Sequence, residues 1–323
     1  MKISHRLRAP IRWLAERFAK KVAQEISTSR ILMMQGTVAA TQLRTIDKIN
    51  TLADVEVSVF SQWGEDGIIE WLIQNCSGIP ESFIEFGVEN YTEANTRFLL
   101  AHRNWRGLVI DGSVENIAFI KNDPISWRHD ITARSAFITR ENINKLIADA
   151  GFKGEIGLLS VDLDGMDYWV WQAITQVQPW IVIVEYNALY GDLHNLVTPY
   201  DPAFVRSIAH PSGLYCGASI GALTQLAHEN GYTLLGSNLA GNNAFFIRND
   251  HSPALRARIA NTSTRPSRFR EERDAYGKLT LARGRAGIGG IMQCRVVDVA
   301  TGREGALASF GELYSATWGA VYD

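Results

Sequence analysis

Cysteine is scarce in this chain, and long apolar runs are missing. Its 323 residues include three cysteines, Cys76, Cys216 and Cys294, far apart and without C-x-x-C spacing. That pattern predicts neither a zinc site nor a disulfide framework and suits a reducing cytoplasm. No stretch approaches the roughly 18 uninterrupted apolar residues of a transmembrane helix. Charge of one sign is also lacking: 32 Lys and Arg against 34 Asp and Glu leave a formal net charge of −2. A dedicated nucleic-acid binder is therefore not expected. The N-terminus is basic but lacks the continuous apolar centre and small-residue cleavage site of a signal peptide. Internal repeats and low-complexity segments are absent. These absences together predict a soluble, cytoplasmic protein.

What is present is a 46% hydrophobic composition over a length that suits one large α/β domain with additions or two small domains. Two strand ends carry the most information. Leu158-Leu159-Ser160-Val161 runs into Asp162-Leu163-Asp164-Gly165-Met166-Asp167, and Ile181-Val182-Ile183-Val184 runs into Glu185-Tyr186-Asn187. Short apolar, β-branched runs read as fully buried parallel strands, and ligands of open α/β sheets bind at their carboxyl ends. Bare carboxylates are costly to bury, so these are expected to face a crevice, a cation or a polar ligand.

Residues 1–55 form a basic extension. Lys2, Arg6, Arg8, Arg12, Arg17, Lys20 and Lys21 alternate with Ile3, Leu7, Ile11, Leu14, Phe18, Val22 and Ile26 at helical spacing. One reading places this helix on an anionic membrane surface at the inner face of the membrane; the other packs it on its own domain or on a second copy in a homo-oligomer. A main domain over residues 56–250 alternates strands with helices. Strands are predicted at 82–87, 107–111 and 125–129, then at the two acidic ends, with a hairpin of 232–235 and 244–247 around Gly241-Asn242-Asn243. The prediction is a doubly wound, mostly parallel, seven-stranded Rossmann-like sheet closed by an antiparallel hairpin. Residues 251–323 are an arginine-rich appendage with Arg256, Arg258, Arg265, Arg268, Arg270 and Arg273 and a strand near 294–299. Its arginines fit a grip on phosphate or an acidic glycan, and equally a solvated helix face.

The series of strands with a polar residue at each end resembles class I S-adenosylmethionine-dependent methyltransferases. Within that group it is similar to the FkbM-like enzymes of polysaccharide loci and the macrocin-type sugar O-methyltransferases. The resemblance covers residues 60–250. It rests on Glu85-Phe86-Gly87-Val88 after the first strand, Asp111-Gly112-Ser113 after the second, Asp130 after the third, and the acidic ends of the fourth and fifth. It implies S-adenosylmethionine as cofactor, with Glu85 and Gly87 at the cofactor turn, Asp111, Gly112 and Ser113 near the ribose, and Asp130 near the adenine. One departure stands out: Glu89-Asn90-Tyr91-Thr92-Glu93-Ala94-Asn95 replaces the usual glycine-rich continuation. The segment Ser61–Gly67 corresponds to one that related enzymes fold over the cofactor.

The same resemblance implies that Asp162, Asp164, Glu185 and Asn187 hold a divalent cation, and a set of hard oxygen ligands suits Mg²⁺ or Mn²⁺ better than zinc. Metal-free catalysis stays open beside it, with Asp162 and Asp164 orienting or ionising the acceptor and His194 as a general base. The implied function is O-methylation of a sugar or glycan hydroxyl. The alternative is a non-catalytic sheet that serves polysaccharide assembly as a membrane-docked scaffold. A nicotinamide enzyme is disfavoured because no G-x-G-x-x-G follows the first strand.

Overall fold

The computed structural model describes residues 28–282 and 284–322. The basic stretch from Lys2 to Ile26 therefore lies outside the described residues. Residues 28–43 form helix α1. The main domain then runs α2 (Glu65–Gln74), β1 (Ser82–Phe86), α3 (Arg97–Arg103), β2 (Arg106–Asp111), α4 (Val114–Asn122), α5 (Ile125–Arg128), β3 (Ile131–Ser135), α6 (Ile143–Asp149), β4 (Gly154–Val161), α7 (Asp167–Ala173) and β5 (Val177–Glu185). After β6 (Leu196–Val197) and α8 (Arg206–Ala209) come α9 (Ile220–Glu229), β7 (Tyr232–Ser237), β8 (Asn243–Arg248), β9 (Arg295–Asp298) and β10 (Arg303–Ala306). Among the described residues no helix is long and apolar enough to cross a membrane.

Seven strands form one sheet in the order β3-β2-β1-β4-β5-β8-β7, parallel except for β8, which runs antiparallel to both of its neighbours. The doubly wound sheet with its terminal hairpin is thus as predicted. The reason lies in the strand sequences. Along β5, Ile181 and Ile183 enter the core on one face while Val182 and Val184 enter the core on the other. Period-two alternation with apolar residues on both sides requires helices on both sides. α2, α3 and α4 supply Trp71, Leu72, Leu100 and Ile120 to one core; α6, α7 and α9 supply Ile147, Val170, Trp171 and Leu223 to the other.

One feature differs from expectation. Residues 125–128 are helix α5, and the third strand is Ile131–Ser135. Asp123 Oδ1 accepts from Ile125 N at 2.8 Å, and Pro124 starts the turn, so Asp-Pro opens a helix here. The C-terminal segment carries the strand expected near 294–299, as β9. β9 pairs with both β6 and β10 in a small antiparallel sheet, while Leu307, Phe310, Tyr314 and Trp318 join the same core as α7 and α9.

Candidate functional site

The strand order reverses direction between β1 and β4, and at that switch point the carboxyl ends of the parallel strands open onto a cleft of about 710 Å³. Its first wall is built by β1 and β2. Gly87 leaves β1 with φ +69° and donates its N–H to Ile110 O at 3.0 Å. A Cβ at this position would lie 1.7 Å from the backbone oxygen of Asp162. The glycine is therefore required first by the approach of β1 and β4, and only secondarily by any ligand.

Asp111, at the end of β2, holds the turn that follows Gly87. Its Oδ2 accepts from Glu89 N at 2.8 Å, and its Oδ1 accepts from Ser113 N at 2.8 Å and Asn116 Nδ2 at 3.1 Å. A carboxylate has about four acceptor positions, so these three bonds leave one unused, and Asp111 lines the cleft. Gly112 lines the same wall with open space around its Cα. Ser113 caps α4 by accepting from Asn116 N and is not among the lining residues. Glu85 is buried and accepts from Asn95 N at 2.8 Å, Thr96 N at 3.1 Å and the Thr96 hydroxyl. Burial pushes its carboxyl up to about 7 despite those donors. It shapes the loop over the cleft by holding residues 95–96. Asp130 is elsewhere. It precedes β3, so it sits at the amino end of that strand, where its carboxylate lies 3.7 Å from Arg106 on the surface. The third strand's carboxyl end instead brings Ala136, Phe137 and Ile138 to the cleft.

The floor is acidic. Val161 and Val184 are partners in the β4–β5 ladder, so the next residues, Asp162 and Glu185, emerge side by side. One carboxylate oxygen each from Asp162, Asp164 and Glu185 lies within 4.8 Å of the others. Burial, then the neighbouring carboxylates, hold the Asp162 and Glu185 carboxyls well above the usual range. Arg206, from α8, reaches in from the side, 2.7 Å from Asp164 Oδ1 and 3.0 Å from Glu271 Oε2. Asp167 braces the turn beneath by accepting from Leu163 N and Gly165 N at 2.7 and 3.0 Å, and burial pushes it up to about 6.

Two expected site residues are not in the cluster. Asn187 donates through Nδ2 to Leu214 O and Cys216 O, both at 2.9 Å, and accepts at Oδ1 from Leu189 N at 3.0 Å. Its oxygen caps the turn after β5. His194 lies outside the cleft, its Nε2 3.0 Å from Glu312 O and its ring beside Phe310. The chain turns away at Gly191, whose φ of +78° and close approach to Leu313 O direct the loop onto the C-terminal segment. His194→Ala is accordingly expected to leave any turnover within about twofold of wild type; a loss of a hundredfold in a steady-state assay would return the histidine to the site.

The remaining wall comes from elements far apart in sequence. Gln62 and Trp63, in the segment before β1, line the cleft, and the Trp63 ring lies 5.1 Å from that of Phe269. Glu65 Oε1 accepts from Asn238 Nδ2 and Asn243 Nδ2 at 2.6 and 2.9 Å, which ties α2 to the β7–β8 hairpin. Asn242 and Asn243 thus serve the turn as expected and also line the cleft. Residues 261–282 contain no helix, so the helix-face reading fails for Arg265, Arg268, Arg270 and Arg273, whereas Arg256 lies in the helix Ser252–Arg256. Instead this arm runs across the opening, bonded through Arg268 N to Ala240 O and Arg273 N to Ser212 O. The sequence offers no signal that places Arg206 at the site, because it lies neither at a strand end nor in a motif; the arm's arginines are expected to grip an anion, but the sequence does not place them at this cleft.

No protein-family model matches this chain, and no curated protein does. Among solved structures it is similar to an S-adenosylmethionine-dependent methyltransferase from Clostridium acetobutylicum, at 12% identity and a TM-score of 0.37, over 57% of this chain and 90% of the other. It is also similar to an O-methyltransferase from Bacillus cereus in complex with SAH, at 13% identity and a TM-score of 0.36, over 68% of this chain and 89% of the other. A precorrin-6y C5,15-methyltransferase from Geobacter metallireducens is similar at 9% identity and a TM-score of 0.34, over 59% of this chain and 90% of the other.

Proposed function

We propose that this chain transfers a methyl group from S-adenosylmethionine to a hydroxyl oxygen of a sugar or glycan. One observation carries the reading: a single cleft at the switch point of the sheet holds both the Asp111 carboxylate and the adjacent carboxylates of Asp162 and Glu185. The cofactor fits the residues present. Asp111 keeps one acceptor position for a ribose hydroxyl, Gly112 leaves space beside it, and Ala136 to Ile138 offer an apolar face for the base. When bound, S-adenosylmethionine supplies a methyl group activated by a sulfonium. The chain's own part is to orient the acceptor and take its proton. Asp162 and Glu185 hold the hydroxyl between them, and the ionised member of the pair receives the proton. Arg206 holds Asp164 in place at 2.7 Å. The choice of a sugar rests on the sequence resemblance.

A second reading puts a divalent cation among Asp162, Asp164 and Glu185, and the convergence of their oxygens favours it. Such a cation competes with Arg206 for Asp164. Calorimetric titration with S-adenosylhomocysteine tests the main reading. Wild-type protein is expected to bind, with Asp111→Ala weakening the affinity about tenfold or more at an unchanged melting temperature. No heat and no thermal shift with wild-type protein would sink it. Turnover that survives a chelator supports Arg206 as the cluster's cation, whereas restoration by Mg²⁺ alone supports the second reading.

A further inference from the structure

The C-terminal arm brings more positive charge to the cleft than it neutralises. Glu271 is engaged by Arg206 at 3.0 Å, and Glu272 Oε2 accepts from the hydroxyl of Thr280. Arg270 and Arg273 both line the cleft. Arg270 has no hydrogen bond or ion pair among the described residues, and the only side-chain bond of Arg273 goes to Gly277 O at 2.9 Å. Trp63, which lines the same cleft, packs on Phe269 and is still 42% exposed. An aromatic face in the same cleft as guanidinium groups without a carboxylate partner suits a ring carrying an oxyanion: the face stacks on the ring, and the planar forks take the anion bidentately. The acidic floor makes such an anion unwelcome at Asp162 and Glu185, so it is directed to the rim while an uncharged hydroxyl reaches the floor.

We infer that Arg270 and Arg273, with Trp63, form an acceptor subsite for a sugar bearing a phosphate or carboxylate group. The inference rests on the methyl-transfer reading for what happens at the floor, but the subsite itself is tested separately. Full-length protein loaded with S-adenosylhomocysteine is titrated calorimetrically with inorganic phosphate and with glucuronate. The Arg270→Gln/Arg273→Gln double variant and Trp63→Ala are titrated alongside. At least one anion is expected to bind wild type, with affinity about tenfold lower in the double variant and S-adenosylhomocysteine affinity unchanged. Trp63→Ala should weaken glucuronate and leave phosphate unaffected. Stronger binding of phosphate assigns a phosphorylated acceptor; stronger binding of glucuronate assigns a uronic acid. Absence of binding by both anions, or equal binding by the double variant, overturns the subsite. Loss of S-adenosylhomocysteine binding in that variant would overturn it too, by giving the arginines to the cofactor. Anion binding lost in the double variant, with no S-adenosylhomocysteine binding even in wild type, would keep the subsite and discard methyl transfer.

Discussion

Gly87→Ala is expected to lower folding stability by about 3 kcal/mol or more, a larger cost than most single substitutions impose. Two effects add at this position. The backbone sits at φ +69°, a left-handed conformation that costs a side-chain-bearing residue about 1 kcal/mol relative to glycine. The new methyl would also sit 1.7 Å from Asp162 O. That oxygen belongs to the backbone at the end of a central strand, so no rotamer change relieves the contact. β1 and β4, paired through Phe83–Leu158 to Glu85–Ser160, would have to part at their carboxyl ends. The same movement would displace Asp162 and open the floor of the cleft. Gly112→Ala is the control, because its Cβ meets nothing within 4 Å; it should change stability by less than about 0.5 kcal/mol. Chemical denaturation of both variants measures the contrast. A Gly87→Ala midpoint close to that of Gly112→Ala would contradict the close strand approach.

Glu185→Gln should stabilise the protein at pH 8 while abolishing most of its turnover. Burial and the neighbouring Asp162, Asp167 and Asp164 raise the Glu185 carboxyl well above its ordinary value. A carboxyl whose folded value is raised favours the folded state when protonated, below its unfolded value, and that contribution is lost as pH rises toward the folded value. At pH 8 the wild-type cluster therefore carries repulsion that a neutral amide does not. The variant should gain about 1 kcal/mol there, and the gain should shrink to nothing near pH 4. Part of the wild-type slope will persist, since burial also raises Asp66 and Asp167 to about 6 and Glu85 to about 7. Loss of the proton acceptor should lower kcat by roughly 10²- to 10⁴-fold with cofactor affinity intact. Melting temperature against pH, read beside single-turnover rates, separates the two effects. Parallel wild-type and variant pH curves would show that Glu185 is not part of a repelling pair.

The seven-stranded sheet and the acidic ends of β4 and β5 were legible in the sequence because both signals are local. A β-branched run such as Ile181 to Val184 buries alternate residues on opposite faces whatever it packs against, and the carboxylate that ends it marks the rim. β3 was misplaced for the converse reason. It is an edge strand, its residues Ile131 to Arg134 only half-buried, so it needs no strong apolar run, while the neighbouring Ile125-Ser126-Trp127 imitates strand alternation inside a helix. That slip carried Asp130 to the wrong end of the sheet. His194 was misassigned because proximity in sequence to Glu185 says nothing about direction after Gly191, where the chain is captured by Leu313 and Ser315.

By itself, then, the sequence determined the layered α/β architecture, the Gly87 and Asp111 turns, and the Asp162–Glu185 floor, since periodicity and strand-end chemistry depend on neighbours a few residues away. Tertiary structure alone decided which residues close the cleft. Arg206 meets Asp164 across 42 positions and Glu271 across 65, and Phe269 meets Trp63 across the whole sheet domain. Such contacts are set by how the β7–β8 hairpin and the C-terminal arm pack over the sheet, and packing between distant segments leaves no periodic trace in either one.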